Sequence, residues 1–239
     1  MLTVRAPKVN QRFVAYYAGA AVSPQLPVSG SSLLSPVISP GGALLFTHAA
    51  PPVNDFKIQT LLPQMLSGVG PCMAKGDVNG DGREDVYIGG GRGQAGGLFL
   101  QTANGFTQTL QADFEKDAAF EDVAAVLLDA DGDKDLDLAV VSAGYALNAT
   151  DSLLRPRLYV NQNGQFVRSK LPSVWNDLKI NASSVAVADV DADGDQDIFI
   201  GAHCTPGRYP EAQKSVLLQN DGKGNYAPVQ SFAPASLVT

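Results

Sequence analysis

The sequence contains few of the residues that build disulfide scaffolds and thiolate metal cages. Two of its 239 residues are cysteine and two are histidine, which excludes a disulfide framework and argues against a zinc site. No run of about 18 apolar residues occurs, so the sequence predicts no transmembrane helix. Charged residues make up 17% and hydrophobic residues 45%, a composition that is not typical of a disordered chain.

Glycine and acidic residues are present in an informative pattern. The 24 glycines and 15 prolines indicate a turn-rich chain of many short strands. The formal net charge of -7 argues against nucleic acid as a partner. Three nine-residue windows, at 77–85, 129–137 and 189–197, hold 14 of the 24 acidic residues. The negative charge is therefore confined to three local clusters.

From Pro71 onward the chain repeats one unit three times. Each unit has a short apolar strand, an acidic loop, a second apolar strand, a variable loop and a hairpin. The hairpin turns are predicted at Asn104-Gly105, Asn163-Gly164 and Asp221-Gly222, since these pairs tolerate positive φ. Four antiparallel strands per unit predict an all-β fold, a β-propeller with about three blades. The blades are expected at about 70–112, 121–170 and 183–231.

The acidic loops have the composition of calcium sites. Carboxylate or amide oxygens at positions 1, 3 and 5, a backbone carbonyl at position 7 and a carboxylate at position 9 supply the oxygens that calcium prefers. The candidate ligands are Asp77, Asn79, Asp81, Arg83 and Asp85; Asp129, Asp131, Asp133, Asp135 and Asp137; and Asp189, Asp191, Asp193, Asp195 and Asp197. Position 12, where an EF-hand needs glutamate, is apolar in all three loops, which excludes that motif. We expect up to three Ca²⁺ ions.

One loop departs from the pattern at position 6, where Gly82 and Gly194 correspond to Lys134. If this position requires positive φ, lysine there costs about 1 kcal/mol relative to glycine. The second site is therefore expected to be the weaker one, unless its five carboxylates compensate.

The first 47 residues differ from the rest and are interpreted as a leader and linker. A basic start followed by a short apolar stretch suggests a secretory signal, with a poorly ordered leader or a first-blade strand as alternatives. Residues 23–43 are rich in Ser, Pro and Gly, as linkers are. Residues 48–239 form the predicted propeller segment.

The loops resemble the FG-GAP/VCBS repeats of integrin-α-type propellers, whose consensus is D-x-[DN]-x-D-G-x-x-D between two strands of a blade. Outside the loops, residues 55–82 and 205–226 resemble the large VCBS-repeat proteins of Bacteroidetes-type bacteria, which often carry an ASPIC/UnbV domain. The resemblance covers about residues 48–239 and implies a calcium-binding propeller. No ASPIC-type domain is present in this sequence. Three blades do not close a ring, so further blades or oligomerisation are expected to complete it.

The function expected is that of a non-catalytic, extracytoplasmic binding module, of the protein-interaction or adhesion type, with structural calcium. Extracellular modules tolerate weak calcium sites of about 10⁻⁴–10⁻³ M. The variable loops 143–156 and 203–214 are the expected contact surfaces for an unknown protein or glycan. The alternatives are a lectin-like propeller and a scaffold without activity of its own within a larger enzyme.

Three other features have functional and structural interpretations. Residues 91–96 fit G-x-G-x-x-G, but a strand instead of a helix is predicted to follow, which argues against a dinucleotide site. His203 and Cys204 are interpreted as a packed pair, and a disulfide between Cys72 and Cys204 is the less favoured alternative. The blade aromatics Phe99, Phe106, Tyr159, Phe166, Phe199 and Tyr226 are expected in the core, with a sugar-stacking platform as the alternative. Trp175 is expected in the link between the second and third blades, where it could be exposed.

Overall fold

The computed structural model of the chain describes residues 44–68, 70–170 and 174–229. Most of the predicted leader therefore lies outside the described residues. The structure is mostly β, with two short α-helices, α1 (Ala112–Lys116) and α2 (Val174–Asp177), and two 3-10 turns, Asp55–Lys57 and Ser152–Leu154.

Twelve strands form three antiparallel sheets of four, each in the order of the chain. The first sheet contains β1 (Met73–Gly76), β2 (Asp85–Ile88), β3 (Gly97–Thr102) and β4 (Gly105–Thr109). The second contains β5 (Asp122–Leu128), β6 (Asp137–Ser142), β7 (Arg157–Gln162) and β8 (Gln165–Arg168). The third contains β9 (Ala182–Ala188), β10 (Asp197–Ala202), β11 (Val216–Asn220) and β12 (Tyr226–Pro228). The prediction of about three four-stranded propeller blades is confirmed.

The core consists of two layers, one between each pair of successive sheets. Strand β6 is buried along its whole length, because its alternating side chains face opposite layers. Leu138 and Val140 pack with the first sheet, whereas Ala139 and Val141 pack with the third. The first strands of neighbouring sheets also lie against each other, β1 with β5 and β5 with β9.

Trp175 lies in the link between the second and third sheets, as predicted, but it is not exposed. Its side chain is 6% exposed and packs edge-on against Tyr226, with 5.3 Å between the ring centroids. Helix α2 holds the indole in the layer between the second and third sheets, where its apolar area is buried and its Nε1–H has no hydrogen-bond partner among the described residues. Among the blade aromatics, Phe99, Tyr159, Phe166 and Tyr226 are buried.

The hairpins follow the predicted turn chemistry with two differences. Asn163 and Gly164 form a two-residue loop with φ of 56° and 84°, as a type I′ turn requires. In the first hairpin the loop is Ala103-Asn104, one residue earlier than predicted, because Gly105 pairs with Thr102 in the ladder. In the third, Asn220 pairs with Tyr226, which lengthens the loop to residues 221–225.

A buried ion pair fastens the first and second sheets together. The Asp122 carboxylate accepts the Tyr87 hydroxyl and the Gly90 N–H of the first sheet, each at 2.9 Å. The same carboxylate pairs with the Arg157 guanidinium, which lies 4.2 Å from the Phe120 ring centroid. Because every member is buried, removing one partner is expected to cost about 3–5 kcal/mol.

Candidate metal sites

The three acidic loops join the first strand to the second in each sheet, and their ninth residue begins that second strand. In each loop the position-1 carboxylate accepts the position-6 N–H: Asp77 from Gly82 at 2.7 Å, Asp129 from Lys134 at 3.1 Å, and Asp189 from Gly194 at 3.1 Å. The position-5 carboxylate accepts the position-7 N–H at 2.9–3.0 Å in all three. The loops therefore share one backbone frame.

The frame requires positive φ at two positions. At position 6, φ is 81° in Gly82, 75° in Lys134 and 99° in Gly194. This position therefore has the positive φ that the prediction about Lys134 assumed. Position 4 was not anticipated: φ is positive in Gly80 and Gly132, and also in Ala192, at 62°. The second and third loops thus each hold one non-glycine residue in the left-handed region, at a cost of about 1–2 kcal/mol.

The position-9 carboxylates are buried and hold the loop to the third strand. The Asp137 carboxylate accepts the Ala130 N–H at 3.0 Å and the Asn161 N–H at 2.7 Å. Asp85 and Asp197 make the equivalent pairs of bonds at 2.8–3.1 Å. Burial raises the pKa of Asp137 to about 7 and raises that of Asp85. Each carboxylate oxygen has two lone pairs, so these bonds leave capacity for a cation.

The second loop has the donor set that best fits a cation. One carboxylate oxygen from each of Asp129, Asp131 and Asp137 lies within 4.8 Å of the others. Asp131 and Asp135 each keep a buried Oδ1 that has no hydrogen-bond partner in the described part of the chain. Burial and the neighbouring carboxylates raise the pKa of Asp131, and that of Asp135 to about 6. Unpaired buried oxygens close to other carboxylates are costly unless a cation coordinates them, and an all-oxygen set fits calcium.

The third loop gathers a more exposed set. Asp189, Asp191 and Asp193 each place an oxygen within 4.8 Å of the others, and the Gln219 amide donates to Asp191. Burial and the nearby carboxylates raise the pKa of Asp195. Asp197, although predicted as a ligand, is not a member of this three-residue group.

The first loop differs because a positively charged side chain of the loop already pairs with one of the predicted metal ligands. The Arg83 side chain forms an ion pair with Asp81 at 2.8 Å, and the pKa of Asp81 is lowered by the Arg83 N–H and then by this guanidinium. Position 3 is Asn79, whose oxygen accepts the Asp81 N–H at 3.0 Å. Calcium would have to displace Arg83 from Asp81 here.

Sequence reasoning missed the residues that join each loop to the next sheet. Asn161 and Asn220 are the fifth residues of β7 and β11 and donate their side-chain amides to backbone carbonyls of the preceding acidic loop, at 2.7 and 2.9 Å. The available signal was an amide residue at the fifth position of each third strand, with Gln101 as the first-sheet equivalent.

The opposite end of the sheets carries a cavity of about 210 Å³. It lies where β5 and β9 begin, and its lining includes Met65, Leu66, Glu121, Val123, Ser183 and His203. Burial raises the pKa of Glu121, whose carboxylate accepts the Gly68 N–H at 3.3 Å. The two variable loops meet residues 44–68 at this end, where the Gln59 side chain bonds to Tyr145 and Tyr209.

The remaining sequence motifs have structural roles. Residues 91–96 form a loop that leads into strand β3, which confirms the prediction of a strand in place of the helix that a dinucleotide site needs. Cys72 and Cys204 are both free thiols, which contradicts the alternative of a disulfide. The His203 ring nitrogen Nδ1 lies 3.1 Å from the Cys204 sulfur. Burial raises the pKa of Cys72 to about 12, which makes it an unreactive thiol at neutral pH.

The fold and the loop geometry define a partial β-propeller with acidic loops between the first and second strands. The FG-GAP-like repeat family matches residues 77–140 and again residues 129–200. The two matches begin at the first residue of successive acidic loops and together cover more than half of the chain, so the chain belongs to this family. None of the curated proteins matches it. Among the described residues, no helix is long and apolar enough to cross a membrane.

Proposed function

We propose that this chain is a calcium-binding, extracytoplasmic propeller module that binds a protein partner and has no catalytic role. Within the FG-GAP-like family, its subgroup would be the large bacterial VCBS-repeat proteins that the sequence resembles. Calcium is structural in this proposal, and the partner binds elsewhere on the blades.

The observation that carries the proposal is the pair of unpartnered oxygens in the second loop. Asp131 Oδ1 and Asp135 Oδ1 are buried and accept from no donor among the described residues, and Asp131 gathers with Asp129 and Asp137. A divalent cation would coordinate them and offset the repulsion among five carboxylates. The shared backbone frame supports extending the proposal to the other two loops.

Calcium would act by joining strands. The loop begins where the first strand ends, and its ninth residue begins the second strand, so one ion would join both strand ends. Binding only to the folded state adds free energy to folding. Weak sites are sufficient outside the cell, where calcium is plentiful, and this supports an extracytoplasmic location.

The partner surface would lie at the end away from the acidic loops. Loops 143–156 and 203–214 connect second to third strands there, beside the 210 Å³ cavity. Loops on a rigid scaffold are the usual place for recognition. A glycan-binding propeller and a scaffold within a larger enzyme are the alternatives. No Phe, Tyr or Trp is among the described residues that line this cavity. This composition favours a protein partner over a sugar ring stacked on an aromatic side chain.

Calorimetric titration of EDTA-stripped, dialysed protein with CaCl₂ tests the proposal. We expect calcium binding with up to three sites and little response to MgCl₂. Asp131→Asn should remove one calcium site, whereas Asp151→Asn, which lies outside the acidic loops, should leave the binding curve unchanged. An absence of calcium binding up to about 10 mM, well above the range for extracellular modules, would refute it.

A further inference from the structure

Residues 55–68, which we call the strap, contribute one wall of the cavity at the end away from the acidic loops. Two bonds fix the strap in place. The Asp55 carboxylate accepts the Leu66 N–H at 2.6 Å, and the Gln59 side-chain oxygen accepts the Tyr145 hydroxyl at 2.5 Å. Because Leu66 belongs to the lining, this wall is held by the fold itself, as the walls of small-ligand sites usually are.

The lining of the cavity also includes a buried acidic residue, Glu121, which is 9% exposed. One of its carboxylate oxygens accepts the Gly68 N–H at 3.3 Å. No described lysine, arginine or histidine forms an ion pair with it. Burial raises the pKa of Glu121, although the charges of Arg92 and His48 nearby lower it in part. A buried carboxylate without a counter-ion is costly, and a cationic ligand would supply one.

The rest of the lining is mostly apolar and suits an alkyl chain. Its aliphatic members include Leu66, Val123, Ala143 and Ala182. The described residues of the lining include no second acidic residue and no lysine or arginine. A single carboxylate among apolar walls fits one cation on an aliphatic stem, such as a lysine side chain.

Lysine fits this carboxylate better than arginine does. One Glu121 oxygen already accepts the Gly68 N–H, whereas a guanidinium binds best when both oxygens accept from it. An ammonium is a compact donor that needs only one of them. The Ser183 hydroxyl, also in the lining, donates to the Gly201 carbonyl at 3.2 Å. Its oxygen therefore keeps acceptor capacity for a second N–H of an ammonium.

The strap also carries exposed apolar side chains beside the cavity. Leu62 and Leu66 pack in a cluster with Tyr145, whereas Leu61 is 89% exposed and Met65 is 48% exposed. Met65 belongs to the cavity lining as well, so apolar surface continues from the strap into the cavity. Exposed apolar surface of this kind marks interaction sites.

We propose that the cavity binds a lysine side chain of the partner protein, with Glu121 as its counter-ion and with apolar neighbours of that lysine on Leu61 and Met65. This rests on the proposed function, which places a protein partner at this end of the sheets. The alkyl part of the lysine lies along Leu66 and Val123. The acidic loops take no part, because they lie at the other end.

Titration of the ¹⁵N-labelled protein with n-butylammonium chloride tests the cavity without any partner. This cation has the four carbons and the charge of a lysine side chain. Amide chemical shifts are followed at pH 7.5 and constant ionic strength. We expect saturable shifts at Gly68, Glu121 and Gly144, in the millimolar range that suits so small a ligand. Butan-1-ol, which has the same chain without the charge, should give no saturable shifts, and n-propylguanidinium should bind more weakly. Equal binding of the alcohol, or tighter binding of the guanidinium, would overturn the proposal.

Two variants and a control assign the binding to this cavity. Glu121→Gln keeps an oxygen for the Gly68 N–H but removes the charge, and should weaken n-butylammonium binding by about tenfold or more. Glu115→Gln removes the same charge from an exposed residue outside the cavity, and should leave the affinity unchanged. Ala143→Leu adds volume to the lining and should prevent binding with Glu121 still in place. Natural affinity in both Glu121→Gln and Ala143→Leu would overturn the proposal.

The peptide Ac-Leu-Lys-Leu-NH₂ distinguishes a lysine of a partner from a free amine. It should bind more tightly than n-butylammonium, and Leu61→Ser should weaken binding of the peptide alone. Leu110→Ser, which changes another exposed leucine (78%) outside the strap, should weaken neither. A peptide that binds no more tightly than n-butylammonium would assign the cavity to a small amine and overturn the partner lysine.

The amine titration and the calcium titration fail independently. A protein that binds calcium but not n-butylammonium would overturn the lysine site alone. A protein that binds n-butylammonium but no calcium would refute the calcium sites and support the cavity.

Discussion

The Asp137 carboxylate accepts the backbone N–H of Asn161 at 2.7 Å. It also accepts the Ala130 N–H, so a residue that the sequence marks as a metal ligand also holds its loop against the third strand. The position-9 aspartates therefore hold the loop to the third strand without a cation, whereas the exposed Asp133 carboxylate accepts an N–H only from its own loop. This difference separates the structural and metal-binding contributions of one loop.

Asp137→Asn should destabilise the protein even without calcium. The asparagine amide would place donors opposite backbone N–H groups, leaving at least one buried N–H unpaired, at a cost of about 1–3 kcal/mol. Urea unfolding in EDTA at pH 8 measures this. Asp133→Asn is the matched control, because Asp133 is exposed and accepts one N–H at 3.0 Å. It should change stability little in EDTA. Equal losses from both variants would contradict the account.

Lys134→Gly should stabilise the protein by roughly 0.5–1 kcal/mol. Lys134 is exposed with φ of 75°, so glycine relieves left-handed strain, partly offset by its greater freedom in the unfolded chain. Urea unfolding in EDTA gives the difference. Lys134→Ala removes the same charge but keeps the strain, and should give no comparable gain. A gain of equal size in the alanine variant would assign the effect to charge.

Ala192→Gly should give a similar gain in the third loop, where φ is 62°. The mirror experiment is Gly80→Ala at the same loop position, where nothing lies within 4 Å of an added Cβ. It should cost about 1 kcal/mol through backbone strain alone. The free energies of unfolding should therefore move in opposite directions. Changes of the same sign in the free energy of unfolding would mean that the left-handed backbone does not determine the preference for glycine at these positions.

Calcium should stabilise the protein more at pH 7.5 than at pH 5.5. Without metal, the pKa of Asp137 is raised to about 7 and that of Asp135 to about 6, first by burial. Because the folded state holds these protons more tightly than the unfolded chain, their contribution to stability is full below about pH 4 and is lost as the pH rises through 6 to 7. Calcium replaces the protons, so it competes with them at pH 5.5.

Thermal unfolding at both pH values, with EDTA or millimolar calcium, measures this difference. The calcium-induced rise in Tm should be larger at the higher pH. A rise of equal size at both pH values would show that calcium binding does not displace protons from these carboxylates.

The repeat made the sheets predictable from the sequence. Each acidic loop lies between two apolar strands, and turn pairs such as Asn163-Gly164 mark the hairpins, so strand number and order follow from local chemistry. The positive φ at Lys134 was predictable because glycine occupies that position in the other two loops. Ala192 could not be recognised in the same way without the geometry, since alanine gives no sign of left-handed backbone.

The contacts between sheets were much less predictable. Trp175 looked like a link residue because its packing partner, Tyr226, lies about 50 positions away, and no local pattern joins them. The hydrogen bond from the Asn161 side-chain amide to the Val78 carbonyl spans 83 positions. In the first loop, only the structure places the Arg83 guanidinium on Asp81 and so distinguishes that loop from the second. Long-range pairings of this kind depend on how the sheets pack.

Calcium bound by the acidic loops should stabilise the fold. Thermal unfolding at pH 7.5 in EDTA, in millimolar calcium and in millimolar magnesium tests it most directly, since a ligand that binds only the folded state must raise Tm. We expect a clear rise in Tm with calcium, little change with magnesium, and a smaller calcium response in Asp131→Asn. An identical Tm in EDTA and in calcium would contradict it.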